Sequence, residues 1–85
     1  MRLDKYLKVS RLIKRRTLAK EASEAERILV NGQIAKPSKE LKVGDHIRIT
    51  YGKKIVEVEV TSLIDSTKKQ DAQLMYELVS EKQIG

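Results

Sequence analysis

The chain has 85 residues, a net charge of +6, no cysteine, and three tyrosines as its only aromatic residues. This length permits one small domain, residues 1–85, whose core must be built from aliphatic side chains. Without cysteine there is no disulfide framework or thiolate metal site, and a single histidine cannot form a zinc site. We expect no cofactor. We also expect a cytoplasmic protein, because no apolar run has secretory or membrane-spanning length.

The positive charge is concentrated at the N-terminus. Residues 1–20 hold eight Lys or Arg and one acid, Asp4, which gives +7, whereas residues 21–85 hold ten cations and eleven acids. Clustered basicity is typical of nucleic-acid binding, and a solvated, solubilising face is the alternative. Such one-sided segregation favours a polyanionic partner.

Two short helices are predicted within this basic segment. Apolar residues recur at helical spacing over residues 3–13, which assigns Leu3 and Leu7 to the core. A second helix is predicted over residues 16–26, so that the cations meet at the corner between the helices. The inward face of the second helix is predicted to hold Leu18, Ala22 and Ala25, and its outward face Arg16, Lys20 and Ser23.

Strands are predicted for the middle of the chain. Residues 28–30 favour β-structure, and Asn31-Gly32 is a strong signal for a tight turn that returns the chain as a short strand over 33–36. Alternation over residues 47–51 and 56–60, across a turn at Gly52-Lys53, predicts an antiparallel hairpin with one buried face.

The C-terminal segment, residues 65–85, is predicted to contain a helix over 68–82, capped by Asp65 or Ser66. The predicted class is therefore α+β, with two N-terminal helices packed on a small antiparallel sheet and a C-terminal helix. Within the single domain, residues 51–64 supply the second hairpin strand. The apolar stripe of the last helix is predicted to comprise Ala72, Met75, Leu78 and Val79.

Several motifs resemble the S-four RNA-binding domain. They are "RLDKYL" at 2–7, Arg16 at the start of the second helix, "RILVNGQIAKPSK" at 27–39 and "LKVGDHIRI" at 41–49. This resemblance covers about residues 1–50. The segment "NGQIAKPSK" and the hairpin after it are most similar to stand-alone members that act on large ribosomal subunits, and "MRLDKYLKVSRLIKRRTLAKE" is most similar to those of ribosome-associated quality control.

The resemblance implies an RNA-binding protein that contacts rRNA and tRNA on stalled large ribosomal subunits. It implies support of alanine tailing with an RqcH-type tailing factor, and we expect a monomer. Asp4 is expected to order the start of the first helix, where a carboxylate meets exposed N–H groups. The positions expected to contact RNA are Arg2, Lys5, Lys8, Arg11, Lys14, Arg15, Arg16 and Lys20, with Lys36 beside the Asn31-Gly32 turn.

Two positions depart from the family pattern. Arg15 stands where the family usually has a Ser or Thr that caps the second helix, a contribution of about 1 kcal/mol. Glu26 stands where a glycine commonly permits a left-handed helix ending. The conformation of this turn and the length of the second helix are therefore left open.

Alternative functions are a heat-shock factor that rescues ribosomal subunits and a general RNA-binding protein. The heat-shock relatives usually carry a long basic C-terminal extension, whereas this chain stops at "SEKQIG", which favours quality control. A membrane-surface protein is disfavoured, because the domain needs the few apolar residues of the first helix for its own core.

An enzyme is not expected, because no nucleophile–base set, metal-ligand spacing or phosphate-binding glycine loop is present. His46 is assigned a structural or surface role, and Tyr6 and Tyr51 are assigned to the core. A solvated hairpin tip is expected at Lys53-Lys54, and the role of Tyr76 is left open.

Overall fold

A computed structural model describes residues 1–64 and 69–83 of the chain. Neighbouring strands are all antiparallel, in the order β2-β1-β3-β4-β5. The helices of the described residues are α1 (Leu3–Val9), α2 (Arg16–Glu24) and the short α3 (Lys69–Ala72). Their strands are β1 (Ile28–Val30), β2 (Gln33–Ile34), β3 (His46–Tyr51), β4 (Lys54–Val60) and β5 (Tyr76–Gln83).

The core lies between the helix pair and one face of the sheet. Leu3, Tyr6 and Leu7 of α1 are fully buried, which confirms their assignment to the core and leaves them unavailable to a membrane surface. The Tyr6 hydroxyl donates a hydrogen bond to the backbone carbonyl of Met75, and burial raises the pKa of this phenol. The sheet residues that pack against the helices are Ile28, Val30, Ile47, Ile49, Val56, Val58 and Val60.

The first hairpin follows its sequence signal. Asn31 and Gly32 have φ values of 53° and 82°, as a two-residue type I′ turn requires at both positions. The Asn31 side chain then joins the turn to the sheet, because its Oδ1 accepts a hydrogen bond from the His46 backbone N–H at 2.9 Å. The other predicted strands and the turn at Gly52-Lys53 are likewise confirmed, but the strand predicted over 33–36 ends at Ile34.

The inward face predicted for α2 is wrong at Leu18 and Ala25. Ala22 is partly buried and packs against the core, as predicted. Leu18 is 47% exposed and Ala25 is exposed, whereas Ala19 and Ser23 are buried. The Ser23 hydroxyl, predicted to face outward, donates a hydrogen bond to the Ala35 carbonyl and so is satisfied within the fold. Small side chains at both buried positions allow α2 to approach its neighbours closely, and that approach decides which face is buried.

Both N-terminal helices end in a residue with a left-handed backbone. The first helix stops at Val9 rather than residue 13, and Arg11 has φ 62°. The second stops at Glu24, and Glu26 also has φ 62°. The N–H of Arg27 donates to the Ala22 carbonyl and that of Glu26 to the Ser23 carbonyl, which together form a Schellman motif. The chain therefore keeps the left-handed ending without the glycine that usually provides it.

The predicted C-terminal helix is wrong for most of its length. Within the described part of that range only Lys69–Ala72 is helical, and Tyr76–Gln83 forms strand β5 along the edge of β4. The proposed caps, Asp65 and Ser66, lie outside the described residues. Ala72 and Met75 are buried, as the predicted stripe requires, but Leu78 and Val79 are 54% and 47% exposed.

An irregularity in the pairing of β5 explains the misprediction. Ser80 pairs with Glu57, but Leu78 pairs with Val58, so Val79 is an extra residue on β5. A bulge of this kind reverses which alternate residues face the core. The sequence of β5 therefore shows no continuous two-residue alternation, and its spacing resembles that of a helix.

Candidate nucleic-acid interface

The start of α1 is held by the loop that follows β2. The Leu3 N–H donates to the Lys39 carbonyl at 2.8 Å, and the Asp4 N–H donates to the Pro37 carbonyl at 3.1 Å. These bonds satisfy two N–H groups that a helix start leaves without helical partners. They also place the loop bearing Lys36 beside the residues that open the chain.

Asp4 joins Arg2 and Arg16 across the two helices. Its carboxylate oxygens lie 3.3 Å from Arg2 Nε and 3.3 Å from Arg16 Nε, and the two guanidinium Nη2 atoms lie at 3.3 and 3.5 Å. The Asp4 side chain is only 4% exposed, whereas those of Arg2 and Arg16 are 47% and 49% exposed. One buried acid therefore fixes two half-exposed guanidinium groups side by side.

Asp4 also fulfils its predicted role at the helix start. Its Oδ1 accepts a hydrogen bond from the Lys5 backbone N–H at 2.8 Å. Its second role, the link between Arg2 and Arg16, was not predicted from the sequence. The two-residue spacing from Arg2 is a local signal for the first ion pair, but Arg16 is twelve residues away and only the packing of α2 on α1 brings it close.

The remaining cations lie along α1, the connecting turn and α2. Lys5 is half-buried and the others are exposed. Arg15 precedes α2 and forms no side-chain hydrogen bond to its first turn, as the loss of the usual cap predicts. We call the following set the basic surface: Arg2, Lys5, Lys8, Arg11, Lys14, Arg15, Arg16, Lys20 and Lys36. The structure joins Arg2 and Arg16 through a shared partner and places the other members on the same helices, turn and loop.

Other candidate residues take part in the fold. His46 Nε2 lies 3.3 Å from Glu59 and Nδ1 lies 3.8 Å from Glu57, on the sheet face opposite the helices. No group of three or more acidic or histidine side chains suited to a metal ion occurs among residues 1–64 and 69–83. Tyr51 is half-buried and donates its hydroxyl to the Leu12 carbonyl at 2.6 Å. None of the described helices has the length and apolarity needed to cross a membrane.

The fold and the helix pair define a small α+β domain of a known type. The family model of the S4 domain matches residues 1–47. A solved structure, the trimeric Heat Shock Protein 15 of Vibrio cholerae, superposes with a TM-score of 0.87 at 32% identity, covering 94% of this chain and 82% of that one.

Two relatives are similar over almost the whole chain. A protein of Streptococcus pneumoniae named RQC P-site tRNA stabilizing factor is 57% identical over 84 residues, 99% of this chain and 96% of the relative. A Bacillus subtilis protein of the same name is 53% identical over 85 residues, 100% of this chain and 99% of the relative. This chain therefore belongs to the S4 domain family and, within it, to the family of RQC P-site tRNA stabilizing factors.

Proposed function

We propose that the protein binds RNA through the basic surface. The observation that carries this proposal is the pair of guanidinium groups that Asp4 holds half-exposed on a segment with a net charge of +7. A planar guanidinium presents several N–H donors in a fixed fork that matches phosphate oxygens. Since Asp4 already restricts Arg2 and Arg16, binding a phosphate costs these side chains less conformational entropy than it costs flexible ones.

The start of α2 adds to this surface. Its first N–H groups receive no side-chain cap from Arg15, and a helix N-terminus carries partial positive charge. A phosphate at this corner would therefore meet the Arg15 and Arg16 side chains together with backbone donors. The same reasoning gives the replacement of the family's usual Ser or Thr by Arg15 a role in binding.

The RNA partners that we propose are rRNA and tRNA on a large ribosomal subunit that carries a stalled nascent chain. The names of the relatives from S. pneumoniae and B. subtilis support the tRNA, and the spread of cations over two helices and a loop supports contact with two polyanions at once. We further propose that the protein acts as a cytoplasmic monomer. On this proposal it supports alanine tailing by an RqcH-type factor through binding energy, without chemistry of its own.

Salt dependence of binding to purified large subunits tests the electrostatic part of the proposal. Five or six phosphate contacts predict a slope near −4 to −5 in a plot of log affinity against log salt, because each contact contributes about 0.7–0.9. Arg16→Lys keeps the charge but loses the planar fork, so we expect intermediate affinity. Arg48→Gln on the outer sheet face is the matched control and should bind as wild type. A slope near zero would contradict docking by the basic surface.

A deletion strain tests the cellular function. Removal of the gene should abolish alanine tails on stalled chains while ordinary translation continues, and the doubly substituted Arg15→Ala/Arg16→Ala protein should fail to restore the tails. A second candidate is the rescue of dissociated large subunits, which the structural similarity to Heat Shock Protein 15 favours. Normal alanine tailing in the deletion strain would contradict the first function and favour the second.

A further inference from the structure

A groove that shares Arg11 with the basic surface differs in chemistry from the other parts of that surface. It lies between the turn after α1 and the ends of β4 and β5, and residues that line it include Arg11, Leu12, Tyr51, Lys54, Tyr76 and Glu81. We call this the tyrosine groove. It combines two aromatic rings with aliphatic side chains and three charged groups, whereas the basic surface is almost wholly cationic.

The rings in the groove are held in place by the fold. The Tyr51 hydroxyl donates to the Leu12 carbonyl at 2.6 Å, which fixes the ring against the turn. Tyr76 lines the same groove, and burial, with a smaller contribution from Tyr76, raises the pKa of Tyr51 to about 12. Both residues are half-buried. Fixed, partly exposed aromatic rings are the side chains on which unpaired RNA bases stack.

The charged groups of the groove offer both donors and acceptors. Lys54 Nζ lies 5.7 Å from the centre of the Tyr51 ring and 2.9 Å from Glu81 Oε1. Arg11 is exposed and adopts φ 62°, a conformation that glycine would adopt with less strain. It belongs to the same turn as Lys14 and Arg15, so the tyrosine groove continues the basic surface.

We propose that the tyrosine groove binds one unstacked RNA nucleotide. This proposal rests on the proposed RNA-binding function and names the part of the RNA that this end of the surface takes. The base would stack on Tyr51 and Tyr76, with the Glu81 carboxylate accepting a base N–H and Arg11 meeting the phosphate. A base in a duplex is stacked and covers its own faces, so the groove selects a single-stranded or extruded nucleotide. The Lys54–Glu81 pair fits a polar base edge better than an apolar side chain of a protein.

Nuclear magnetic resonance titrations with two RNA probes test the proposal. A six-nucleotide single strand should shift the backbone signals of Tyr51, Lys54 and Tyr76, whereas a blunt 12-base-pair duplex should shift signals around Arg2 and Arg16. Tyr76→Leu removes the ring but keeps an apolar side chain, and we expect at least a fivefold loss of single-strand affinity. Tyr51→Phe keeps the ring and should bind within twofold of wild type.

A second variant guards against effects of misfolding. Arg11→Gly suits the left-handed backbone, so it should melt no lower than wild type while binding the single strand at least threefold more weakly. Unchanged single-strand affinity in both Tyr76→Leu and Arg11→Gly would overturn the proposal, as would groove signals that move with an apolar peptide and not with RNA. Duplex and large-subunit binding that persists in that case would leave the proposed function standing.

Discussion

The outer face of the sheet pairs its cations with acids, whereas the segment that forms the helix pair has a large excess of cations. On the sheet, Arg48 lies 3.3 Å from Glu57, and His46 lies 3.3 Å from Glu59. In the first 20 residues, Asp4 is the one acid for eight cations. Opposite charges in close pairs largely cancel each other's field, whereas the excess of cations in the first 20 residues leaves a positive potential that salt screens over about 8–10 Å. The proposed binding surface therefore lies where cations outnumber acids along the sequence, a feature that the net charge of the chain alone does not locate.

The largest expected effect comes from removing the apolar support under the basic surface. Leu7 is fully buried on the inner face of α1, and Leu7→Ala should lower the free energy of unfolding by about 2–4 kcal/mol. Leu18→Ala is the matched control, because Leu18 is 47% exposed and should cost less than about 0.5 kcal/mol. Chemical denaturation measures both. Equal losses would contradict the observed orientation of α2.

A smaller loss is expected when the two arginines are removed together. Arg2→Gln with Arg16→Gln removes both guanidinium partners of the Asp4 carboxylate, which is 4% exposed, so stability should fall by about 1–3 kcal/mol. Adding Asp4→Asn should recover most of that stability without recovering large-subunit binding. Thermal melting and co-sedimentation together make this distinction. If the triple variant regained binding, the arginines would have only a structural role.

A gain of stability is expected at the end of α2. Glu26→Gly relieves a left-handed backbone at φ 62°, so the free energy of unfolding should rise by about 0.5–1 kcal/mol. Glu21→Gly, within the exposed part of the same helix, should lower it by about 1 kcal/mol. Both variants lose one negative charge, so the opposite signs in a melting experiment isolate the backbone effect. If both variants are less stable than wild type, the Glu26 side chain stabilises the fold by more than its strained backbone costs.

The smallest effect is expected on the sheet. Arg48→Gln breaks a pair between exposed and part-buried side chains, and such surface pairs contribute about 0.2–1 kcal/mol. Its salt slope for large-subunit binding should equal that of wild type, whereas each substitution on the basic surface should reduce the slope by about 0.7–0.9. A reduced slope for Arg48→Gln would extend the RNA contact to the outer sheet face.

Local patterns were sufficient to predict β1 to β4 and their turns. The Asn31-Gly32 turn adopts positive φ at both residues, and alternation identified the buried positions of β3 and β4. These features depend on neighbours within a few residues, because a tight turn and its flanking strands specify each other's geometry. The existence of two N-terminal helices was likewise predicted from spacing, although both end earlier than predicted.

Contacts with residues distant in sequence determine which face of α2 is buried. Helical spacing predicts Leu18, Ala22 and Ala25 as the inward face. Of these only Ala22 is partly buried, whereas Ala19 and Ser23 are buried. Ser23 is accommodated because the Ala35 carbonyl accepts its hydroxyl proton, a partner that the local sequence does not reveal. When the buried residues are small or polar, hydrophobic spacing does not predict which face of a short helix is buried.

The amino-acid sequence alone specified the class of fold, the concentration of cations in residues 1–20 and the family motifs, because these depend on composition and short-range spacing. Tertiary structure decided the rest. Residues 76–83 became a strand because β4 offered an unpaired edge and the bulge at Val79 accommodated the register. Arg2 and Arg16 became a pair because two helices packed around one buried carboxylate, a juxtaposition that arises only when distant segments meet.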